Sequence, residues 1–191
     1  MSGLHFLKTF IKSPTSTGAI WPSSSYLSDK ITSEIGVDTA DSIVELGPGT
    51  GVFTKVILEK KKADSKFIAV ELNKTLYDIV KSKFQDLTIY NDSAANLDKL
   101  IKNENIDSVD VVLCGLPWAS FPASLQISIL DAVHSSLKDG GIFTTFAYLQ
   151  GAILPTGIRF RKLLKSHFSQ VKTTKTVWRN IPPAFVYRCI K

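Results

Sequence analysis

Short runs in which almost every residue is apolar constrain this chain most: 42–46, 66–71, 87–90, 109–114 and 141–148. Continuous apolarity over four to eight residues predicts strands covered on both faces, not half-exposed ones. Between these runs the apolar residues fall at helical spacing. Val52, Phe53, Val56 and Ile57 make one stripe, Leu76, Ile79 and Val80 with Phe84 a second, and Leu125, Ile129, Leu130 and Val133 a third. Strands alternating with helices build a mostly parallel sheet with helices on both faces. The C-terminal part breaks the alternation. A basic helical stretch carrying Ile158, Phe160, Leu163, Leu164 and Phe168 leads into strand-like runs at 170–178 and 184–190, separated only by "RNIPP". These two runs are predicted to pair as an antiparallel hairpin. The expected fold is therefore α/β, with an open Rossmann-like sheet that ends in that hairpin.

The chain has 191 residues, 44% hydrophobic and 21% charged, which fits a single globular domain. Residues 1–40 are expected to form N-terminal amphipathic or lid helices, and 41–191 the main domain. The net charge of +6 fits an anionic partner such as a membrane surface or nucleic acid, or none. Cys114 and Cys189 each sit inside an apolar run, as buried free thiols do, and no metal site is expected. The N-terminus has no signal-peptide pattern, and the apolar stretch 141–155 is too short and polar to span a bilayer. A cytoplasmic protein is expected.

The first strand runs into "VELGPGTGVF", where Gly47, Gly49 and Gly51 lie between strand and helix. Such a corner lets a ligand approach the backbone closely. The spacing G-x-G-x-G departs from the dinucleotide fingerprint, G-x-G-x-x-G, and Glu45 precedes it. A carboxylate there would repel a pyrophosphate but could accept hydrogen bonds from, or attract, the cationic amino-acid end of S-adenosylmethionine. Downstream, "FIAVEL" ends a strand at Glu71, placed to grip two ribose hydroxyls, with Leu72 beside it. "NDSAANL" puts Asp92 and Ser93 after the third strand, where an adenine amino group would lie. Each acid alone reads as a solvated loop residue. Acids at three neighbouring strand tips, on one sheet edge, instead predict S-adenosylmethionine as cofactor. "ELGPGTG" resembles motif I of class I methyltransferases, and the terminal hairpin fits that class.

The fourth strand ends in "CGLPWASFP", so Gly115 and Leu116 are expected beside the cofactor and Pro117 beside the substrate. Amino-group methyltransferases often carry Asn or Asp followed by Pro and an aromatic residue here. Gly115 supplies no side-chain amide, which disfavours a neutral adenine amine and hence nucleic acid as acceptor. Trp118 either faces a substrate ammonium by cation–π attraction or packs the strand end. At the N-terminus, Leu4, Phe6, Leu7, Phe10 and Ile11 fill one side of a helix and His5, Lys8, Thr9, Lys12 and Ser13 the other. This stretch suits an anionic bilayer surface or a lid across the cleft. Tyr26 stands either over the transferred methyl group or in a helix core with Leu27 and Ile31. The run "RFRKLLKSHF" is a solvated helix face or a headgroup site that Arg179 could join.

Taken together, "FLKTFIKSPTSTGAIWPSSSYLSDKI", "VELGPGTGVFTKVIL", "GLPWASFP" and "WRNIPPAFVYRC" resemble the bacterial phospholipid N-methyltransferases, relatives of the ribosomal RNA adenine dimethyltransferases. The resemblance implies an S-adenosylmethionine-dependent N-methyltransferase. Its substrate would be phosphatidylethanolamine, carried toward phosphatidylcholine, with ornithine lipid a near variant. It implies a peripheral protein on the inner face of the cell membrane, with a membrane-binding helix over residues 4–12. The cofactor set would be Glu45, Gly47, Gly49, Gly51, Glu71, Leu72, Asp92, Ser93, Gly115 and Leu116. The membrane or substrate set would be Lys8, Phe10, Lys12, Trp21, Pro117 and Arg179, with Tyr26 and Trp118 at the reacting centre. The alternative is an RNA methyltransferase of the adenine-dimethylating kind.

Overall fold

The structure is a computed structural model that describes residues 24–191. Lys8, Phe10, Lys12 and Trp21, and the amphipathic stretch over residues 4–12, lie outside the described residues. Helix α1 (Ser25–Thr32) precedes β1 (Ser42–Leu46), α2 (Val52–Lys60), β2 (Lys66–Val70), α3 (Lys74–Lys83) and β3 (Thr88–Tyr90). A short 3₁₀ turn then leads to α4 (Leu97–Asn103), β4 (Val109–Cys114), a second 3₁₀ turn (Trp118–Ser120), α5 (Ala123–Ser136) and β5 (Leu137–Tyr148). The four-residue α6 (Leu149–Ala152), α7 (Pro155–His167), β6 (Gln170–Thr173) and β7 (Ala184–Ile190) complete the order.

The strands form one seven-stranded sheet in the order β3-β2-β1-β4-β5-β7-β6. β1 through β5 run parallel, and β7 pairs antiparallel with both β5 and β6. The expected α/β fold with its C-terminal antiparallel hairpin is what the chain adopts. All five residues of β1 are buried, as continuous apolarity requires of a strand covered on both faces. Its side chains alternate: Val44 and Leu46 join one core cluster with Leu97, Leu125, Phe143 and Phe160, while Ile43 joins the other with Leu27, Ile31, Phe53 and Ile57. Leu27 and Ile31 are fully buried, so α1 closes the second face of the sheet.

Two strands and one helix differ most from the sequence expectation. β5 begins at Leu137, not at residue 141, because Gly140 takes a left-handed φ of 76° and the pairing with β4 shifts between Val109 and Val111. The strand continues through a bulge where "KDGG" reads as a turn. β6 stops at Thr173, and Val177 makes only an isolated bridge to Ala184. Helix α4 was not expected, since its seven residues hold only three buried ones, Leu97, Leu100 and Ile101. Among the described residues no helix is long and apolar enough to cross a membrane.

Phe143 is fully buried, stacked on Phe168 at 5.5 Å and edge-on to Trp118 at 6.2 Å. Phe143→Ala should therefore cost about 3–5 kcal/mol of unfolding free energy, measurable as a lowered urea midpoint.

Candidate active site

Because β1, β2, β3 and β4 are parallel, their C-terminal tips bring four loops to one edge of the sheet. The first loop is the glycine corner. Gly47 N–H donates to Val70 O (2.9 Å), continuing the β1–β2 ladder by one bond, and Gly51 N–H closes a turn onto Pro48 O (2.9 Å). Gly51 caps α2 with φ 85°, and a Cβ there would lie 2.7 Å from Phe84 Cε2. Both the conformation and the space demand glycine.

Glu71 stands at the β2 tip, buried. Its Oε2 accepts from Gly49 N–H (3.1 Å) and its Oε1 from Asn73 N–H (2.9 Å). Burial pushes this carboxyl up from its ordinary value, opposed by those backbone bonds. Asn91, which no sequence motif marks, ties the neighbouring tip in place: its Nδ2 donates to Glu71 O (2.8 Å) and Leu72 O (3.0 Å). Its signal was only an amide at a strand end. At the β3 tip, Asp92 Oδ1 accepts from Ser93 N–H (2.6 Å) and Asn96 Nδ2 (2.8 Å), while Ser93 caps the following 3₁₀ turn.

Glu45 is fully buried in β1, among the strands and not in the open mouth. Thr54 Oγ1 on α2 donates to Glu45 Oε2 (2.6 Å), and Glu45 Oε1 has no partner among the described residues. Burial, helped by the charge of Glu71 and opposed by the Thr54 bond, pushes Glu45 up to about 8. The carboxyl is therefore mostly protonated at pH 7. The charge attraction expected of Glu45 is weak in this state, and a hydrogen bond is what it offers.

Beyond β4, Gly115 N–H donates to Leu46 O (2.8 Å). A Cβ on Gly115 would meet Gly47 O at 2.6 Å, a backbone atom that cannot step aside. The absence of a side-chain amide at this position thus has a steric cause: the glycine corner closes over it. Gly115, Leu116, Pro117 and Ser120 form one wall of a cavity of about 110 Å³. Tyr148 at the tip of β5, Gly151 and Gly157 of the α6–α7 corner, and Phe160 and Tyr187 form the rest. Among the described residues no carboxylate, lysine or histidine lines it. Burial raises the pKa of both Tyr148 and Tyr187, which keeps their hydroxyls neutral.

Trp118 lines this cavity but is only 3% exposed. Its ring stacks on Phe160 at 4.3 Å and its Nε1–H donates to Thr145 Oγ1 (2.9 Å). It packs the strand end, the second of the alternatives its position allowed. Tyr26 is half exposed, clear of the core, and its hydroxyl accepts from Arg179 Nη1 (2.9 Å), the guanidinium lying 4.9 Å from the ring centroid. The structure joins Tyr26 to Arg179, a pairing that sequence spacing gives no hint of. Cys114 and Cys189 are buried free thiols, and among the described residues no cluster of side chains could hold a metal.

The edge so built offers a backbone cradle, a strand-tip carboxylate with further lone pairs, a neutral acid with an unpartnered oxygen, and an apolar cavity sharing the Gly115–Leu116 wall. This is the layout of a class I methyltransferase. The model of the FtsJ-like methyltransferases matches residues 29–180, and the chain belongs to that family. It is 28% identical over 187 residues to an ornithine lipid N-methyltransferase of Singulisphaera acidiphila, covering 96% of this chain and 93% of that protein. It is 29% identical over 107 residues to ribosomal RNA small subunit methyltransferase A of Malacoplasma penetrans, covering 56% of this chain and 37% of that one. An O-methyltransferase from Bacillus cereus in complex with SAH superposes with a TM-score of 0.69 over all of this chain and 91% of the other, at 12% identity. The protein is an S-adenosylmethionine-dependent methyltransferase. The cradle and the orphaned Glu45 oxygen fit that cofactor.

Glu45 makes a testable demand on stability. Its folded pKa lies above the unfolded value of 4.5, so the folded state holds a proton that the unfolded state releases. Stability without ligand should be greatest below pH 4.5 as far as this group is concerned, and fall as pH rises toward 8. Glu71 acts in the same direction. Asp110 and His134 are shifted the opposite way: the effect of Asp110 lies below this window, while burial of His134 lowers its pKa and offsets part of the decline below about pH 6.5, so the fall is steepest between pH 7 and 8.5. Urea unfolding at pH 5.5, 7 and 8.5 should show the decline, and Glu45→Gln should flatten it.

Proposed function

We propose that this chain methylates the amino headgroup of a membrane lipid at the cytoplasmic face of the cell membrane. Phosphatidylethanolamine, carried toward phosphatidylcholine, is the acceptor put forward, with ornithine lipid the near variant. One observation carries the reading: the chain aligns over nearly its whole length with an ornithine lipid N-methyltransferase. The chemistry of the cavity supports it. The lining is apolar and aromatic with a few hydroxyls and, among the described residues, no charged side chain, which suits a neutral amine carried on an apolar-tailed molecule.

In this reading Glu71 holds the ribose hydroxyls, Asp92 and Ser93 the adenine edge, and the backbone of Gly47, Gly49 and Gly51 the amino-acid end, with Glu45 beneath. S-adenosylmethionine supplies an electrophilic methyl group on a sulfonium. The chain's own work is alignment. Gly115 and Leu116, shared by cradle and cavity, set the acceptor nitrogen in line with that methyl, which can contribute several kcal/mol, roughly, through proximity alone. The amine must arrive unprotonated, and among the described lining residues the side chains that could accept a hydrogen bond from it are the neutral hydroxyls of Tyr148, Tyr187 and Ser120. Water or the lipid phosphate takes the proton.

A second reading, methylation of ribosomal RNA, has support in the partial alignment to ribosomal RNA methyltransferases. The closure of Gly47 O against Gly115 leaves no room for an amide that would orient an adenine amine. Labelled S-adenosylmethionine with phosphatidylethanolamine or ornithine lipid in mixed micelles should put label in the lipid extract. Label in ribosomal RNA and none in lipid would replace the first reading with the second. In calorimetry with S-adenosylhomocysteine, Glu71→Ala should weaken binding by about tenfold to a hundredfold, the loss of a charge-assisted hydrogen-bond pair.

A further inference from the structure

Charge is distributed unevenly along this chain. Beyond Asp139 the sequence has no Asp or Glu as far as Lys191, yet it carries nine Lys and Arg. The net charge of +6 therefore arises in this C-terminal stretch, because the residues before it have more acids than bases. The same stretch holds the most exposed large apolar side chains among the described residues: Ile153 (75%), Trp178 (71%) and Ile181 (69%), with Leu154 and Ile158 about half exposed.

The segments that carry these side chains meet at one end of the sheet. Tyr148 at the end of β5 pairs with Ala184 at the start of β7, and Leu149 N–H donates to Pro183 O (3.0 Å). The connection from β6 to β7 is thereby tied to the α6–α7 corner, next to the cavity that Tyr148, Gly151 and Gly157 line. The connection is braced. Asn180 is buried, accepts from Ser24 N–H (3.0 Å) and donates to Pro182 O (2.7 Å), while Arg179 rests on Tyr26. Anchoring Asn180 inward presents Trp178 and Ile181 outward. Along α7 the exposed residues change from Leu154 and Ile158 near the cavity to Arg161, Lys162 and Lys165 further on.

We infer that this edge, formed by the β6–β7 connection and the α6–α7 corner, is a docking surface for an anionic lipid bilayer, with Trp178 and Ile181 seated in the interface. The inference rests on the lipid reading above and names the surface through which that site meets its substrate. Apolar side chains flanked by cations, with no carboxylate nearby in sequence, match a layer of acyl chains beneath phosphates. Tryptophan suits the boundary because its ring is apolar and its N–H remains near water. Docking this edge sets the cavity mouth on the headgroups, so a lipid amine enters while its acyl chains stay in the bilayer.

The test uses the full chain with Trp21→Phe, which leaves Trp118, sealed in the core, and Trp178 as emitters. Vesicles of phosphatidylglycerol and phosphatidylcholine with brominated acyl chains should quench and blue-shift the emission, and Trp178→Phe should abolish both effects. In sedimentation, Trp178→Ser with Ile181→Ser should weaken partition onto these vesicles by about tenfold or more. Pure phosphatidylcholine vesicles should bind weakly, and added salt should release the protein. Heat of S-adenosylhomocysteine binding, and label transfer to micellar lipid, should match the parent chain. No quenching of Trp178, with undiminished sedimentation of the serine variant, would overturn the surface even if the parent methylates lipid. Removal of residues 1–23 abolishing sedimentation while Trp178 plays no part would also overturn it, as would a dimer dissociated by the serine variant in the absence of quenching. Quenching of Trp178 without any lipid methylation in micelles would leave the surface standing and remove the lipid-acceptor reading instead.

Discussion

A buried carboxylate at the tip of the second strand ties the working edge of this enzyme together. Glu71 accepts from Gly49 on one side and from Asn73 on the other, so a single side chain fixes both the glycine corner and the start of α3. A group held this way carries a cost, since burial disfavours its charge. The backbone bonds offset part of that cost, and its remaining lone pairs face the edge where a polar ligand can use them. Glu45 lies one strand away under the same corner, with Thr54 reaching down from α2. Two acids thus lie under one loop, one bonded at both oxygens and one with an oxygen that has no partner among the described residues.

That edge was largely legible in the sequence, for a physical reason. Continuous apolar runs fix which segments are interior strands, and parallel pairing then sends every strand tip to the same side. The glycine corner, Glu71, Asp92 and the region after β4 could be placed together on those grounds. What stayed hidden depends on distances across the sheet. Nothing in "GLPW" says that Gly47 O fills the space where a side chain on Gly115 would stand. Trp118 reads as an aromatic wall until Phe160, 42 positions on, is seen stacked against it. Tyr26 and Arg179 meet only because α1 and the β6–β7 connection converge at the same edge. Helix α4 leaves little trace in the sequence because so few of its residues are buried, and the start of β5 is masked because a bulge and a turn use the same glycine signal.

The cradle and the cavity differ in character. Backbone amides and carboxylates make up the first, aromatic and small side chains the second, and Gly115 with Leu116 divides them. Such a division sets a polar cofactor site and an apolar acceptor site against one shared wall. The uneven charge and the exposed apolar residues beside the cavity extend the same logic to the outer surface.

Hydrogen exchange read by mass spectrometry, with and without S-adenosylhomocysteine, addresses the cradle most directly. Protection should concentrate on residues 47–54, 71–73 and 92–96, with the amide of Gly49 among the most slowed and the far end of the sheet unchanged. Unaltered exchange across all three strand tips at saturating ligand, or protection elsewhere alone, would contradict the account.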